Sequence, residues 1–107
     1  MPETNDADVV KPQTSDPETK QPPLYKVMLM NDDYTPFNFV VETLQTFFSL
    51  DNDSAYQIML AAHQNGSAPC GVFTKDVAET KAYNATDYAR QSEHPLTFDV
   101  QASEGSE

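Results

Sequence analysis

Six stretches of the chain show a regular alternation of apolar and polar positions, and turn chemistry separates them. Tyr25 to Met30 is rich in strand formers and ends at the turn residues Asn31-Asp32-Asp33. Thr35-Pro36 then offers a helix start, with Thr as N-cap and Pro at the first helical position. Phe37, Val40, Val41, Leu44, Phe47 and Phe48 follow at three- and four-residue spacing and form one wide apolar face. Asp51 predicts the cap of a second helix, closed at Gly66, with Ala55, Ile58, Met59, Ala62 and His63 turned inward. Ala68 to Phe73 is a short apolar run interrupted by Pro69, which predicts an edge strand or a bulged one. Thr74 can cap a third helix through Arg90, with Val77, Ala78, Lys81, Ala82, Ala85, Tyr88 and Ala89 along one side. Leu96, Phe98 and Val100 alternate with Thr97 and Asp99, the signature of a half-buried strand. The order is β-α-α-β-α-β. It predicts an α+β domain, a small three-stranded antiparallel sheet packed on one face against three helices.

Composition divides the 107 residues unevenly. Residues 1–23 hold five of the eight prolines, and after Met1 their only apolar residues are Ala7, Val9 and Val10. Such a segment cannot bury enough apolar surface to offset the entropy of ordering it, so a disordered tail is expected there. As a coil it would reach roughly 25 Å, and about 75 Å if pulled straight. It is either an inert extension or a tether that engages a partner. Residues 24–101 read as the folded core and 102–107 as a short frayed end.

Charge narrows the choice of partners. Acidic residues number 17 against 6 basic ones, a net of -11, of which -3 falls in the first 23 residues. Phosphate backbones and anionic membrane faces repel such a chain, which argues against nucleic acid and against membrane binding. No apolar run approaches the length of a spanning helix, and the acidic start resembles neither a signal nor a transit peptide. The single Cys70 excludes an internal disulfide, in keeping with a reducing, cytoplasmic setting.

Few constellations suit catalysis. Asp51-Asn52-Asp53 lacks the glycine and the closing glutamate of a calcium loop, since Tyr56 and Ala62 stand at those positions. His63 and His94 have no metal-ligand spacing, so neither a metal nor another cofactor is expected. Cys70 with His63 is the raw material of a thiol hydrolase, but a small buried hydrophobe is the simpler account of Cys70. No Gly-rich phosphate loop exists, and no catalytic residue is assigned. What remains is a binding problem. The run Asn31-Asp32-Asp33-Tyr34-Thr35-Pro36 is either a plain turn with acids near a helix start or a corner that holds a cation. With the first two helices side by side, Asn31, Asp32 and His63 converge at the rim of a pocket floored by Val40, Met59, Ala62 and Leu96. Acceptors above an apolar floor suit an ammonium group attached to a hydrophobic side chain, which is the form of a peptide's free N-terminus.

From about Pro22-Pro23 to Val100 the chain resembles the ClpS family, bacterial adaptors that hand N-end-rule substrates to the ClpA unfoldase of the ClpAP protease. The resemblance rests on Tyr25-Lys26-Val27, Asn31-Asp32-Asp33-Tyr34-Thr35-Pro36, Phe39-Val40, Phe47-Phe48, Met59-Leu60-Ala61-Ala62-His63, Cys70-Gly71-Val72-Phe73-Thr74, Val77-Ala78-Glu79-Thr80-Lys81 and Glu93-His94-Pro95-Leu96. It implies that Asn31, Asp32 and His63 hold the α-amino group of an N-degron substrate. Thr35, Phe37, Val40, Met59, Ala62 and Leu96 would then surround a first side chain of Leu, Phe, Tyr or Trp. Tyr34, Asp76, Glu79 and Lys81 would form the surface that docks on the N-terminal domain of a ClpA-type AAA+ unfoldase, the adaptor acting as a monomer. The resemblance also favours the tether for residues 1–23. Phe37 stands where methionine is common, Ala62 where valine is frequent, and Asp76 replaces a common glutamate. A generic protein-interaction domain, akin in fold to a ribosomal stalk protein, is the rival; such a domain has no need of an ammonium site.

Overall fold

In the computed structural model, which describes residues 22–103, the strand that comes first in the chain lies in the middle of the sheet. Strand β1 (Leu24–Met30) pairs antiparallel with β2 (Ser67–Thr74) on one side and with β3 (Thr97–Ala102) on the other. Helices α1 (Phe37–Phe48) and α2 (Asn52–Asn65) connect β1 to β2, and α3 (Lys75–Gln91) connects β2 to β3. The observed architecture is thus the α+β order β-α-α-β-α-β expected from the periodicity. The expected tail, residues 1–23, lies almost wholly outside the described residues; only its last two, Pro22 and Pro23, are described, and both are exposed.

The central position of β1 has a direct consequence for burial. Val27, Met28 and Leu29 are all buried, although successive strand residues face opposite sides of a sheet. The helix-covered face carries Val27 and Leu29, which sit beside Val100 and Phe98 of β3. On the other side, Val27 pairs with Gly71 and Met28 with Pro69, leaving Cys70 as an extra residue in β2. Pro69 therefore sits on an edge strand beside a bulge, where its missing N–H costs the ladder least.

The helices pack this face by two different means. From α1 come Val40, Val41, Leu44 and Phe48, large side chains on the stripe that the spacing predicted. From α3 come only Ala78, Ala82, Ala85 and Ala89. Small side chains bring that helix close to β3, and the Thr86 hydroxyl oxygen accepts from the Phe98 backbone N–H at 3.1 Å. Val77 is exposed and Lys81 and Tyr88 are half-buried, so the inward stripe of α3 is narrower than its sequence implied.

Three element ends differ from or refine the sequence expectation. Pro36, not Thr35, occupies the N-cap of α1, and Phe37 opens the helix. The Thr35 hydroxyl instead donates to the Asp32 carboxylate, 2.9 Å from Oδ2, which turns it into the acidic turn rather than over the helix start. Thr74 does hold the N-cap of α3, without a side-chain capping bond. The last strand runs to Ala102 rather than fraying there, because Ala102 pairs with Tyr25 and the Ser103 N–H donates to the Leu24 carbonyl at 2.9 Å. Residues 104–107 of the expected frayed end lie outside the described residues.

Asp51 caps α2, accepting from the Ser54 N–H at 2.7 Å. That bond holds its carboxyl below the ordinary value of 3.8. At the other end Gly66 adopts φ +95, and its N–H donates to the Ala62 carbonyl at 2.8 Å. This is the left-handed close that glycine allows.

Candidate functional site

One cleft opens where the end of β1, the start of α1 and the last turns of α2 meet. Its walls are Leu29, Met30, Asn31, Asp32, Thr35, Phe37, Val40, Met59, Ala62 and Leu96, and the side chains close in so far that most of the roughly 260 Å³ between them is open solvent at the mouth and narrow gaps, with about 10 Å³ wide enough for water. The floor is apolar and buried: Leu29, Val40, Met59, Ala62 and Leu96 all belong to the hydrophobic core. The rim is polar, and local bonding sets its shape.

Asp32 organises that rim. Its Oδ1 accepts from the backbone N–H groups of Tyr34 and Thr35, both at 2.8 Å, and from the Thr35 hydroxyl at 3.1 Å. This Asx-type turn folds Asn31 to Thr35 back on itself and buries the Thr35 side chain. Oδ1 is saturated, while Oδ2 has the Thr35 hydroxyl as its one partner among the described residues. Asp32 is thus a turn-former whose second oxygen retains accepting capacity. The turn reading of the acidic corner is observed directly.

Two further links assemble the mouth. The Asn31 N–H donates to the Gly66 carbonyl at 3.0 Å, which ties the end of β1 to the close of α2. On the last turns of α2, Ala62 lines the cleft and the exposed His63 lies edge-on to Phe37, ring centroids 5.2 Å apart. Among the described residues neither the Asn31 amide nor the His63 ring makes a side-chain hydrogen bond. Phe37 is 47% exposed, a large apolar ring held at the opening rather than in the core.

The structure therefore gathers eight of the sequence-derived site residues, Asn31, Asp32, Thr35, Phe37, Val40, Met59, Ala62 and Leu96, into one cleft, with His63 at its mouth. Leu29 and Met30 also line it. Reading them only as strand residues hid this, and their place at the end of β1, next to the turn, was the available signal.

Asp76 and Lys81 lie apart, in a shallow groove between α1 and α3 shared with Thr46, Phe47, Val77, Thr80 and Asn84. Lys81 is fixed there: its ammonium donates to the Phe47 carbonyl at 3.1 Å and stands 5.4 Å from the centre of the Phe73 ring. Glu79 is exposed on the same helix, and Tyr34 is 82% exposed on the turn before α1; neither lines the groove.

Thiol chemistry finds no support in this geometry. Cys70 is buried at the bulge, and desolvation pushes its thiol up to about 12, with a smaller opposing effect from a hydrogen bond to the Leu29 backbone. A thiol so placed supplies almost no thiolate at neutral pH. Among the described residues no cluster of three or more His, Cys, Asp or Glu side chains could hold a metal ion, and no helix is long and apolar enough to cross a membrane.

Residues 20–99 match the family model described as ATP-dependent Clp protease adaptor protein ClpS. The chain belongs to the ClpS family. A solved ClpS2 from Agrobacterium tumefaciens, bound to L-phenylalaninamide, superposes with a TM-score of 0.76 and shares 44% identity over 78% of this chain and all of that one. ClpS proteins are adaptors, so the family is one of binding modules rather than enzymes. The Asx turn, the apolar floor and the Phe37–His63 contact lie within the matched span.

Proposed function

We propose that this ClpS-family adaptor recognises proteins by a free N-terminal Leu, Phe, Tyr or Trp and delivers them to a ClpA-type AAA+ unfoldase. One observation carries the reading: at the mouth of a core-walled apolar cleft stand three side chains able to bind an ammonium group. Asp32 Oδ2 accepts as a carboxylate, the Asn31 amide through its oxygen, and His63 through an unprotonated ring nitrogen. Asp32 also supplies the charge. The phenylalaninamide bound by the Agrobacterium relative has the matching form, an ammonium and a benzyl group on one carbon.

The energetics fit a peptide ligand. An α-amino group, with a reference pKa of about 7.7 to 8.0, is largely charged at neutral pH. Burying a large apolar side chain contributes roughly 1.5 to 3 kcal/mol, and each hydrogen bond to the charged group about as much. Less the entropy of association, low-micromolar affinity follows, about -8 kcal/mol. Side chains branched at Cβ crowd the mouth at Phe37 and are rejected.

Delivery is assigned to a second surface, mostly on α3. Asp76, Glu79 and Lys81 on α3, with the exposed Tyr34, present a mixed-charge surface for the N-terminal domain of the unfoldase. Residues 1–23 act as the tether that promotes transfer, and the adaptor works as a cytoplasmic monomer. The decisive measurement is fluorescence anisotropy with Phe-initiated peptides, free and N-acetylated. Acetylation removes the charge and two donors, and the expected loss of affinity is about tenfold or more, from one charged hydrogen bond at least. Equal affinity for the two forms sinks the reading.

A further inference from the structure

The N-terminal tail enters the fold at the rim of the α1–α3 groove. Pro22 and Pro23 line a hollow with Tyr25, Thr74, Lys75 and Asp76, and Asp76 is also a wall of the groove. We infer that the segment Asp8-Val9-Val10-Lys11 folds back into that groove and covers it until the unfoldase docks. The contact stands on its own; its consequence, that docking must displace the tail and so frees it for transfer, rests on the docking surface proposed above.

The groove has the chemistry of an uncovered contact surface. Val77 is 43% exposed within it, beside the half-buried Phe47. Asp76 and Lys81 are the two ionised side chains among its walls. Asp76 makes no hydrogen bond or ion pair among the described residues. Lys81 gives one bond to the Phe47 carbonyl, and an ammonium has three donors.

The tail carries one segment that matches. Val9-Val10 is its only pair of adjacent large apolar residues, with Asp8 before it and Lys11 after it. Moving outward from the point of attachment, the tail presents Lys11, then the valines, then Asp8. In the same direction the helix presents Asp76, then Val77, then Lys81. Opposite charges therefore face each other at both ends of an apolar contact. The spans agree: Asp76 to Lys81 rises about 7.5 Å along α3, and an extended chain covers about 10 Å from Lys11 to Asp8. Residues 12–21 join the segment to Pro22. As a coil that link reaches roughly 18 Å, enough for a groove that begins at Asp76. A tether of this length holds the segment at a millimolar effective concentration, so a contact of millimolar strength is about half formed.

The test compares amide NMR spectra of the full chain with two full-length variants. Val9→Ser with Val10→Ser removes the apolar contact, and Asp8→Lys with Lys11→Asp reverses both charges at constant net charge. Both are expected to move the resonances of Val77, Thr80, Lys81 and Asn84 and to leave those of Asn31 and Ala62 in place. The affinity of the isolated N-terminal domain of a ClpA-type unfoldase is expected to rise about twofold in the serine variant, as release of a half-formed contact requires. Groove resonances at identical positions in parent and variants overturn the inference. Parent resonances that move with protein concentration overturn it as well, by assigning the groove to the tail of a second copy. Moved resonances with unchanged affinity keep the contact and overturn the masking. If the unfoldase domain binds no form of the chain, the docking reading fails, while the resonances still decide the contact.

Discussion

The β1–α1–α2 cleft and the α1–α3 groove are two concavities of this fold, and they are built on opposite terms. The cleft is walled by core residues and rimmed by an Asx turn, so it selects one side chain and one charged group. The groove is shallow and three times as capacious, about 780 Å³ against 260 Å³ counted with their open space, and its fixed feature is a single ammonium, Lys81. An enclosed site discriminates by fit, whereas an open one binds by area and charge. On the proposed reading, selection falls to the cleft and delivery chiefly to α3, with α1 contributing to both concavities.

Substitutions at Asp32 test the cleft most severely. Asp32→Ala removes the charge and also the bonds that hold Tyr34 and Thr35, so both binding and the turn are lost. Asp32→Asn is the sharper variant, because its amide oxygen can keep the Oδ1 bonds while a donor replaces Oδ2. This substitution should weaken Phe-initiated peptides by roughly tenfold or more, from one charged hydrogen bond of about 1.5 to 3 kcal/mol. The thermal unfolding midpoint should stay close to that of the parent. Unchanged affinity in anisotropy assigns Asp32 to the turn alone.

Lys81→Ala should separate the two regions. It removes the bond to the Phe47 carbonyl, near the end of α1 where the helix dipole favours a cation, at a cost of about 1 kcal/mol in chemical denaturation. Peptide affinity should hold, and degradation of a Phe-initiated reporter by the reconstituted unfoldase and protease should fall. A parallel loss of peptide affinity breaks the separation of the two sites.

The smallest effect lies at Asp51, which caps α2, the helix that contributes to the cleft and not to the groove. Its carboxyl is held below 3.8 by the Ser54 N–H. The stability this adds is present above 3.8 and is lost as pH falls through the depressed folded value. Asp51→Asn keeps a capping oxygen, so the unfolding midpoint near neutral pH should barely move. As pH falls through and below 3.8 the variant should lose less stability than the parent.

Much of the frame was legible in the residues. Asp51 and Gly66 mark the ends of α2 because each satisfies backbone groups through strictly local chemistry. Val40, Val41, Leu44 and Phe48 mark the inner face of α1 because their spacing matches the helix period. Local competition was harder to read. Thr35 precedes proline and looks like a cap, but its hydroxyl donates to Asp32 three residues back and the helix begins one residue later, after Pro36. Lys81 and Tyr88 share the period of the α3 alanines, yet that helix lies so close to the sheet that only alanine fits beneath it.

By itself the sequence determined the element order and the caps of α2, and Pro69 confined its strand to an edge or a bulge, all consequences of short-range stereochemistry and pattern; its motifs carried the resemblance to the ClpS family. Tertiary structure alone decided that one oxygen of Asp32 is consumed by the turn and the other is not. It also decided that His63 faces Phe37 at the mouth. Those facts depend on how β1, α1 and α2 meet, and residues far apart in the chain carry no local signal of where they will touch.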